Sequence, residues 1–536
     1  MDYIGNTEEG EPSNAISAKW PGHAFWAVAV ILGLGLYAAV ARFGMDQFGG
    51  WDYSALIDYA WRQYVGQHPY RDFIATYPPG WFLPAWWAYV LLGVSWWSLV
   101  QLAAGFGLSS FLAQAFLLRR LEWGSFWCLL IPFTVQAMSN ILLSFWWYNN
   151  TAAIFSVLYM TAILLLLKQP ASKQTRAIYV VSLAVLGLQK PNVAGPLIIL
   201  TVLGLLVLGR TRKFTLCAIV CSLVLSCAML LLCGINPFDM INTYIGISGA
   251  RDPRWDFYFI CQDGFAEACL ALSVAVIGAP FLKAIMSAMQ AKRMPAMDDL
   301  GGGAVLYMLV CAVVVTTYAS LTNSELRTVD ATLLLTASSA VVLANGTSPK
   351  IRSQAAKVTS SVVLLLCCVA LIALGFDYGA QRFRLRSCGY YSPGQSLPVE
   401  NEFFRGLKAS PEFVETVSQT NDAVAQYRRE GLPDSKIYFG PRMEWAYCAY
   451  GIKTPNKLPI SWWIGVLYFN DAEQNLINAW HNYKFEMCIF SRRMFENFPV
   501  LVRKYLREEY SATRLSGIII ERRKASAPGT TGTTKP

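Results

Sequence analysis

Charge is scarce in this chain: 15% of its residues are Asp, Glu, Lys or Arg, against 55% hydrophobic. So apolar a composition excludes a soluble enzyme, a disordered chain and a disulfide-stapled miniature scaffold. Histidine is limited to three residues, and His68 and His481 stand alone, which suits hydrogen-bonded structural roles better than a base or a metal ligand. No cysteine spacing resembles a zinc site, and most of the 13 cysteines, Cys217, Cys221, Cys227, Cys233, Cys311, Cys367 and Cys368 among them, lie inside apolar runs. There a cysteine behaves as a small hydrophobe. Only Cys261, Cys388, Cys448 and Cys488 fall outside, where a disulfide among them can form. No internal repeat and no inverted pair of hydropathy halves is visible. The net charge of +10 is spread singly at the ends of apolar runs, a topological signal rather than a nucleic-acid footprint.

The charge that is present is unevenly placed. Residues 1–376 hold 22 Lys+Arg and 18 Asp+Glu, and residues 377–536 hold 22 and 16, so 40 of 376 positions are charged in the first part and 38 of 160 in the second. The expected organisation is a cytoplasmic tail over 1–23, a membrane domain over 24–376 and a polar domain over 377–536.

Apolar windows of about 20 residues predict eleven spans near 24–43, 96–118, 124–145, 151–167, 177–188, 193–209, 214–234, 266–286, 301–320, 328–345 and 358–376. The Trp-rich run 80–93 is too short to span and is read as an interfacial helix. With the N-terminus inside, the inner loops carry 14 Lys and Arg residues and the outer loops only Arg62, Arg71, Lys190, Arg251, Arg254 and Arg327, in agreement with the positive-inside rule. The odd number of spans then places 377–536 outside. Ala39-Val40-Ala41 has the form of a signal-peptidase site, but Asp2, Glu8, Glu9 and Glu11 outweigh Lys19, so a retained first span is preferred. Gln189-Lys190-Pro191-Asn192, between two short spans, breaks a helix at a membrane boundary, where polar residues line cavities.

The densest polar segment of the membrane domain follows the first span. Asp52, after Gly49-Gly50, opens an amphipathic stretch to Tyr64; it suits a helix N-cap or a general base. Asp58 and Asp72 fit structural roles, a second acid, or, with Asp52, a divalent metal site. For Lys190 and Arg327, at outer span ends, the residue types alone suit interfacial snorkelling. Arg251 and Arg254 lie in an outer loop of about 30 residues and suit local pairing with Asp252 and Asp256. No DxD motif of nucleotide-sugar enzymes occurs in an inner loop.

Asp52 with Ile57 and Ala60, the run Gly66 to Phe73 (GQHPYRDF) and Tyr77-Pro78-Pro79-Gly80 together resemble the first outer loop of the C-type (GT-C) glycosyltransferases. These are integral-membrane enzymes that include polyprenyl-phosphate-sugar-dependent mannosyltransferases and lipid A aminoarabinose transferases. Looser matches are Trp147 to Thr151, Leu321 to Arg327, Ile437 to Trp445 and Gly517 to Arg523. The resemblance implies an α-helical polytopic membrane protein with interfacial helices in the first outer loop and a small α/β extracytoplasmic C-terminal domain. It further implies a hexosyl- or pentosyltransferase of the plasma (bacterial inner) membrane. Its partners would be membrane lipid, a polyprenyl-phosphate sugar donor and a glycan, lipid or protein acceptor, with no cofactor required. On this pattern Asp52 is the catalytic base, and Lys190 and Arg327 meet the donor phosphate. Tyr70, Arg71, Tyr77, Asn149 and Asn150 contact substrate; where relatives often carry an acidic pair, Asn149-Asn150 offers no second carboxylate. A multi-pass transporter or lipid flippase and a non-catalytic scaffold are the rival classes. The first predicts ionisable residues in mid-span, whereas here they gather at span ends.

In the polar domain, Tyr438 to Tyr450 and Leu515 to Arg522 alternate as strands would, and Pro411 to Gln426 and Phe498 to Glu509 read as helices. Trp445, Trp462 and Trp463 suit core packing or stacking on a sugar face.

Overall fold

The computed structural model describes residues 19–46, 48, 52–137, 146, 148–207, 212–250, 397–440, 442–458, 472–495 and 500–524, with single positions 362, 365, 368 and 369. The last four predicted spans lie outside the described residues apart from those single positions, as do Arg251, Arg254, Arg327, Trp462, Trp463, Cys261 and Cys388. The described chain is mostly helical. It falls into two compact units, one of Met1–Ala41, Ala103–Ser226 and Trp255–Ala380, and a second of Arg42–Leu102, Cys227–Arg254 and Gln381–Pro536.

Among the described residues, four helices are long and apolar enough to cross a membrane: α1 (Gly22–Gly44), α4 (Trp96–Arg120), α6 (Tyr148–Lys168) and α9 (Arg212–Leu232). Between them come two shorter apolar helices, α5 (Ser125–Gln136) and α8 (Pro191–Val207), and α7 (Lys173–Gly187), whose first turn is polar. In the first unit, α6 is buried nearly all round because small residues, Ala152, Ala153 and Ser156, let its neighbours close in. The ring of Tyr159 stacks near Tyr179, and its hydroxyl lies 2.8 Å from Thr201 Oγ1, tying α6 to α7 and α8. By contrast α1 exposes Val30, Ile31 and Leu34, and α9 exposes Leu216, Val220, Leu223 and Val224. Contiguous exposed apolar stripes of this kind suit lipid, not water. The predicted break after α7 is present: Leu188 closes that helix and Pro191 opens α8, a position where proline loses no hydrogen bond.

In the second unit, α2 (Asp52–Tyr64) packs against α3 (Pro79–Leu92), the predicted interfacial helix, whose first residue is again proline. One difference from expectation is α10 (Pro237–Ala250), which forms inside the stretch expected as a 30-residue loop. The Asn236 side chain accepts the Phe238 N–H at 3.1 Å, and Asn followed by Pro is the helix-start signal within that stretch. Further along, β1 (Leu397–Pro398) pairs with β2 (Lys408–Ala409). A four-stranded sheet follows in the order β3 (Ile437–Phe439), β4 (Met487–Ser491), β6 (Ile518–Arg523) and β5 (Tyr510–Arg514); β3 and β4 are parallel and the other pairs antiparallel. Helices α11 (Pro411–Arg429), α12 (Trp445–Ala449), α13 (Ala472–Tyr483), α14 (Arg492–Phe495) and α15 (Val500–Glu509) accompany it.

The strand expected over Tyr438 to Tyr450 is corrected: the strand stops at Phe439, and Trp445 begins a helix. Both faces of that segment are buried, so the apolar run carries no period that separates strand from helix. Trp445 is fully buried against Phe404 and Phe413, with ring centroids 5.3 and 5.6 Å away, which is core packing and not a sugar platform. Cys448 and Cys488 are both buried and free.

Candidate active site

The second unit gathers side chains around the start of α2. Asp52 is the first helical residue, and its carboxylate keeps 17% exposure. The Tyr77 hydroxyl donates to Asp52 Oδ1 at 2.7 Å. The guanidinium of Arg442 lies 3.9 Å from that same oxygen. Tyr77 is itself held by its backbone, whose carbonyl accepts from the Tyr244 hydroxyl at 3.2 Å and from the Tyr70 hydroxyl at 3.4 Å. Before it, the Thr76 N–H donates to the Tyr59 hydroxyl at 2.7 Å. Burial pushes that Tyr59 hydroxyl up to about 12, so it stays neutral.

Two residues beyond Asp52, Ser54 Oγ donates to Glu444 Oε2 at 2.5 Å and accepts the Trp445 N–H at 3.2 Å. The other oxygen of Glu444 accepts the Arg442 N–H at 2.9 Å. Burial raises the Glu444 carboxyl to about 7, against the pull of Arg442 and its hydrogen bonds.

The remaining acids of the loop are engaged elsewhere. Asp58 is completely buried, accepting from Arg62 Nε at 2.8 Å and from Thr454 Oγ1 at 2.7 Å. Its burial raises its pKa more than Arg62 lowers it. Arg62 also donates to the Pro455 carbonyl and lies over the Phe73 ring at 4.9 Å, so this pair cements the loop. Asp72 accepts two bonds at 3.0 Å from the neighbouring Arg71 and one at 2.8 Å from the His68 N–H, and the Arg71 bonds hold its carboxyl below the usual range. His68 Nδ1 sits 3.2 Å from the Gly234 carbonyl; a Cβ at Gly234, whose φ is +72°, would meet that ring at 2.6 Å. Thus Tyr77 joins Asp52 directly, Tyr70 supports Tyr77, and Asp58, Asp72 and Arg71 form separate local pairs.

In the first unit, Lys190 is 8% exposed and donates to Asn149 Oδ1 at 2.6 Å, with its ammonium 4.7 Å from the centre of the Tyr148 ring. Asn149 and Asn150 open α6 and are buried. The ammonium thus sits at the junction of three helix ends, against a neutral amide oxygen and a ring face. Among the described residues no group of three or more His, Cys, Asp or Glu side chains gathers as a metal centre.

Ser54 and Tyr244 join the site with no motif to mark them, and Arg442 and Glu444 lie inside the loose match from Ile437 to Trp445, which assigned neither a role. The one visible signal is the pair of charges in Gly440-Pro441-Arg442-Met443-Glu444, set in an otherwise apolar stretch.

No family model matches the chain, and no curated protein matches it. Solved structures do, among them crystal structures of ArnT from Cupriavidus metallidurans bound to undecaprenyl phosphate and in the apo state. Each is 14% identical in sequence, and the alignment covers 94% of this chain and 98% of that one, with TM-scores of 0.46 and 0.47 respectively.

Proposed function

We propose that this chain is a membrane glycosyltransferase that moves a sugar from a polyprenyl-phosphate donor to a glycan, lipid or protein acceptor on the outer face of the plasma membrane. The observation that carries the reading is the Asp52 carboxylate: partly exposed at the start of α2, held on one oxygen by Tyr77 and set beside Arg442. A general base needs this combination of access and fixed direction. Asp52 takes the proton of the acceptor hydroxyl as that oxygen attacks the anomeric carbon. The bond from that carbon to the phosphate oxygen breaks with its electron pair, and the configuration inverts. Lys190, and Arg327 outside the described residues, supply positive charge for the departing phosphate. No metal is needed for these steps. The apolar stripes on α1 and α9 suit an enzyme whose donor keeps its tail in a bilayer.

The test is transfer of radiolabelled sugar from a panel of polyprenyl-phosphate sugars by purified protein in liposomes, comparing wild type with Asp52→Asn. Transfer by wild type, with a loss on the order of 10²-fold or more in a folded variant, is expected. Equal transfer by both removes Asp52 as base, and no transfer with any donor removes the reading.

A further inference from the structure

Residues Arg442 and Glu444 meet Asp52 and Ser54 in register. Arg442 reaches the carboxylate of Asp52, and Glu444 accepts from the hydroxyl of Ser54, so two positions spaced by two on one segment clasp two positions spaced by two on the other. Between them, the Trp445 N–H returns to Ser54 Oγ. The clasp is built at a cost. Arg442 has φ +68°, a conformation that disfavours any residue with a Cβ, and it is sustained by the Arg442 N–H to Glu444 and by a turn in which the Met443 N–H donates to the Gly440 carbonyl at 3.0 Å. A strained residue held by its surroundings points to a function for its side chain.

We propose that Arg442 is a positioning residue for the Asp52 carboxylate, held in place by the tie between Glu444 and Ser54. The inference rests on the reading of Asp52 as the base. Its direction follows from exposure: Arg442 is 5% exposed and the Asp52 side chain 17%, so the carboxylate is the member open to an acceptor and the guanidinium stands behind it. Tyr77 and Arg442 approach the same Oδ1, one from within the loop and one from the far end of the chain, which fixes the plane and direction of the carboxyl group.

The test uses the full-length protein and three variants, Arg442→Met, Arg442→Lys and Ser54→Ala, each with its thermal midpoint. Arg442→Met is expected to lower kcat on the order of 10²-fold, the scale of a misplaced catalytic group, with KM for donor and acceptor within about twofold. Arg442→Lys should recover part of the loss, and Ser54→Ala, which loosens the tie without touching either charged group, should lower kcat in the same direction. A rise in donor or acceptor KM at constant kcat makes Arg442 a substrate ligand and overturns the proposal, as does wild-type kcat in Ser54→Ala. If Asp52→Asn is inactive while Arg442→Met turns over normally, this proposal alone fails. If Asp52→Asn is fully active, the base reading fails and takes this one with it. A readout without any donor is carbodiimide labelling of Asp52, followed by peptide mass spectrometry against exposed Glu508. Arg442→Met should speed labelling of Asp52 severalfold relative to Glu508, and an unchanged ratio overturns the positioning role.

Discussion

Glu444 should make the protein less stable as pH rises through neutrality, and Glu444→Gln should abolish that loss. The carboxyl is buried, and its pKa is raised from an ordinary 4.5 to about 7. The folded state therefore holds a proton that the unfolded chain has already released between those values. Stability from this group is fully present below pH 4.5 and is lost progressively as pH rises through about 7. At about 1.4 kcal/mol per pH unit, a shift from 4.5 to about 7 corresponds to about 3 kcal/mol.

Glutamine is the right probe because it reproduces the neutral acid. In the protonated form Oε1 accepts the Arg442 N–H, and the carboxyl proton bridges Oε2 to Ser54 Oγ; in glutamine the amide oxygen and amide N–H take the same two places. The two proteins should then unfold alike at pH 4.5 and diverge by pH 8, with the variant the more stable. For a cooperative unit of a few hundred residues, about 2–4 °C per kcal/mol gives roughly 6–12 °C of separation. The assay is thermal unfolding of both proteins in a neutral detergent at half-unit steps from pH 4.5 to 8.5. Subtracting one curve from the other removes every other titrating group. A difference that is flat with pH, or a variant that loses stability in parallel with wild type, refutes the reasoning.

Asp58→Ala should cost about 3–5 kcal/mol, because it leaves the guanidinium of Arg62, 2% exposed, without its carboxylate; the double replacement Asp58→Leu with Arg62→Met should cost much less, and equal unfolding midpoints for the single and double variants would contradict this. Gly440→Ala should destabilise by about 1–3 kcal/mol of overpacking, since its Cβ would run into the Phe490 ring; Phe490→Leu in the same chain should restore part of the loss, and an unfolding midpoint unmoved by Gly440→Ala would contradict the close approach.

Helices long and apolar enough to cross a bilayer were legible in the sequence from run length alone. The apolar runs for α1, α4, α6 and α9 lie within a few residues of the observed helices, and α2 and α3 stand where the loop's spacing and its proline pair put them. Where period comes without contrast it misleads: around Met443 to Tyr450 nearly every side chain is buried, so alternation carries no information. Asp52 was legible because a helix start after two glycines is a local pattern. Arg442 and Glu444 were not, because their meaning depends on contacts with residues some 390 positions earlier in the chain. Asp58 allowed a structural or a chemical role from its place on the loop, and the buried Arg62 and Thr454 beside it hold it in a structural pair.

The same long-range contacts explain why the first loop holds its shape. Ser54, Asp58, Trp61 and Arg62 occupy one face of α2, at the spacing of a helix's core stripe, yet each makes a polar contact there. Trp61 Nε1 donates to the Ile452 carbonyl at 2.8 Å, Arg62 to the Pro455 carbonyl at 3.2 Å, and Asp58 accepts from Thr454. Beyond the helix, Gln67 donates to the Thr454 carbonyl at 2.7 Å, and the Lys457 N–H donates to the Asp72 carbonyl at 2.8 Å. Apolar packing alone would let α2 slide or turn at little cost, because it has no direction. Directional bonds to Ile452, Thr454 and Pro455 fix its rotation and its register, and any turn of the helix would strand buried polar groups at about 1–3 kcal/mol each. Asp52, at the first turn of that helix, inherits this fixed orientation. The polar C-terminal segment is therefore part of the scaffold that aims the carboxylate, in addition to lending it Arg442.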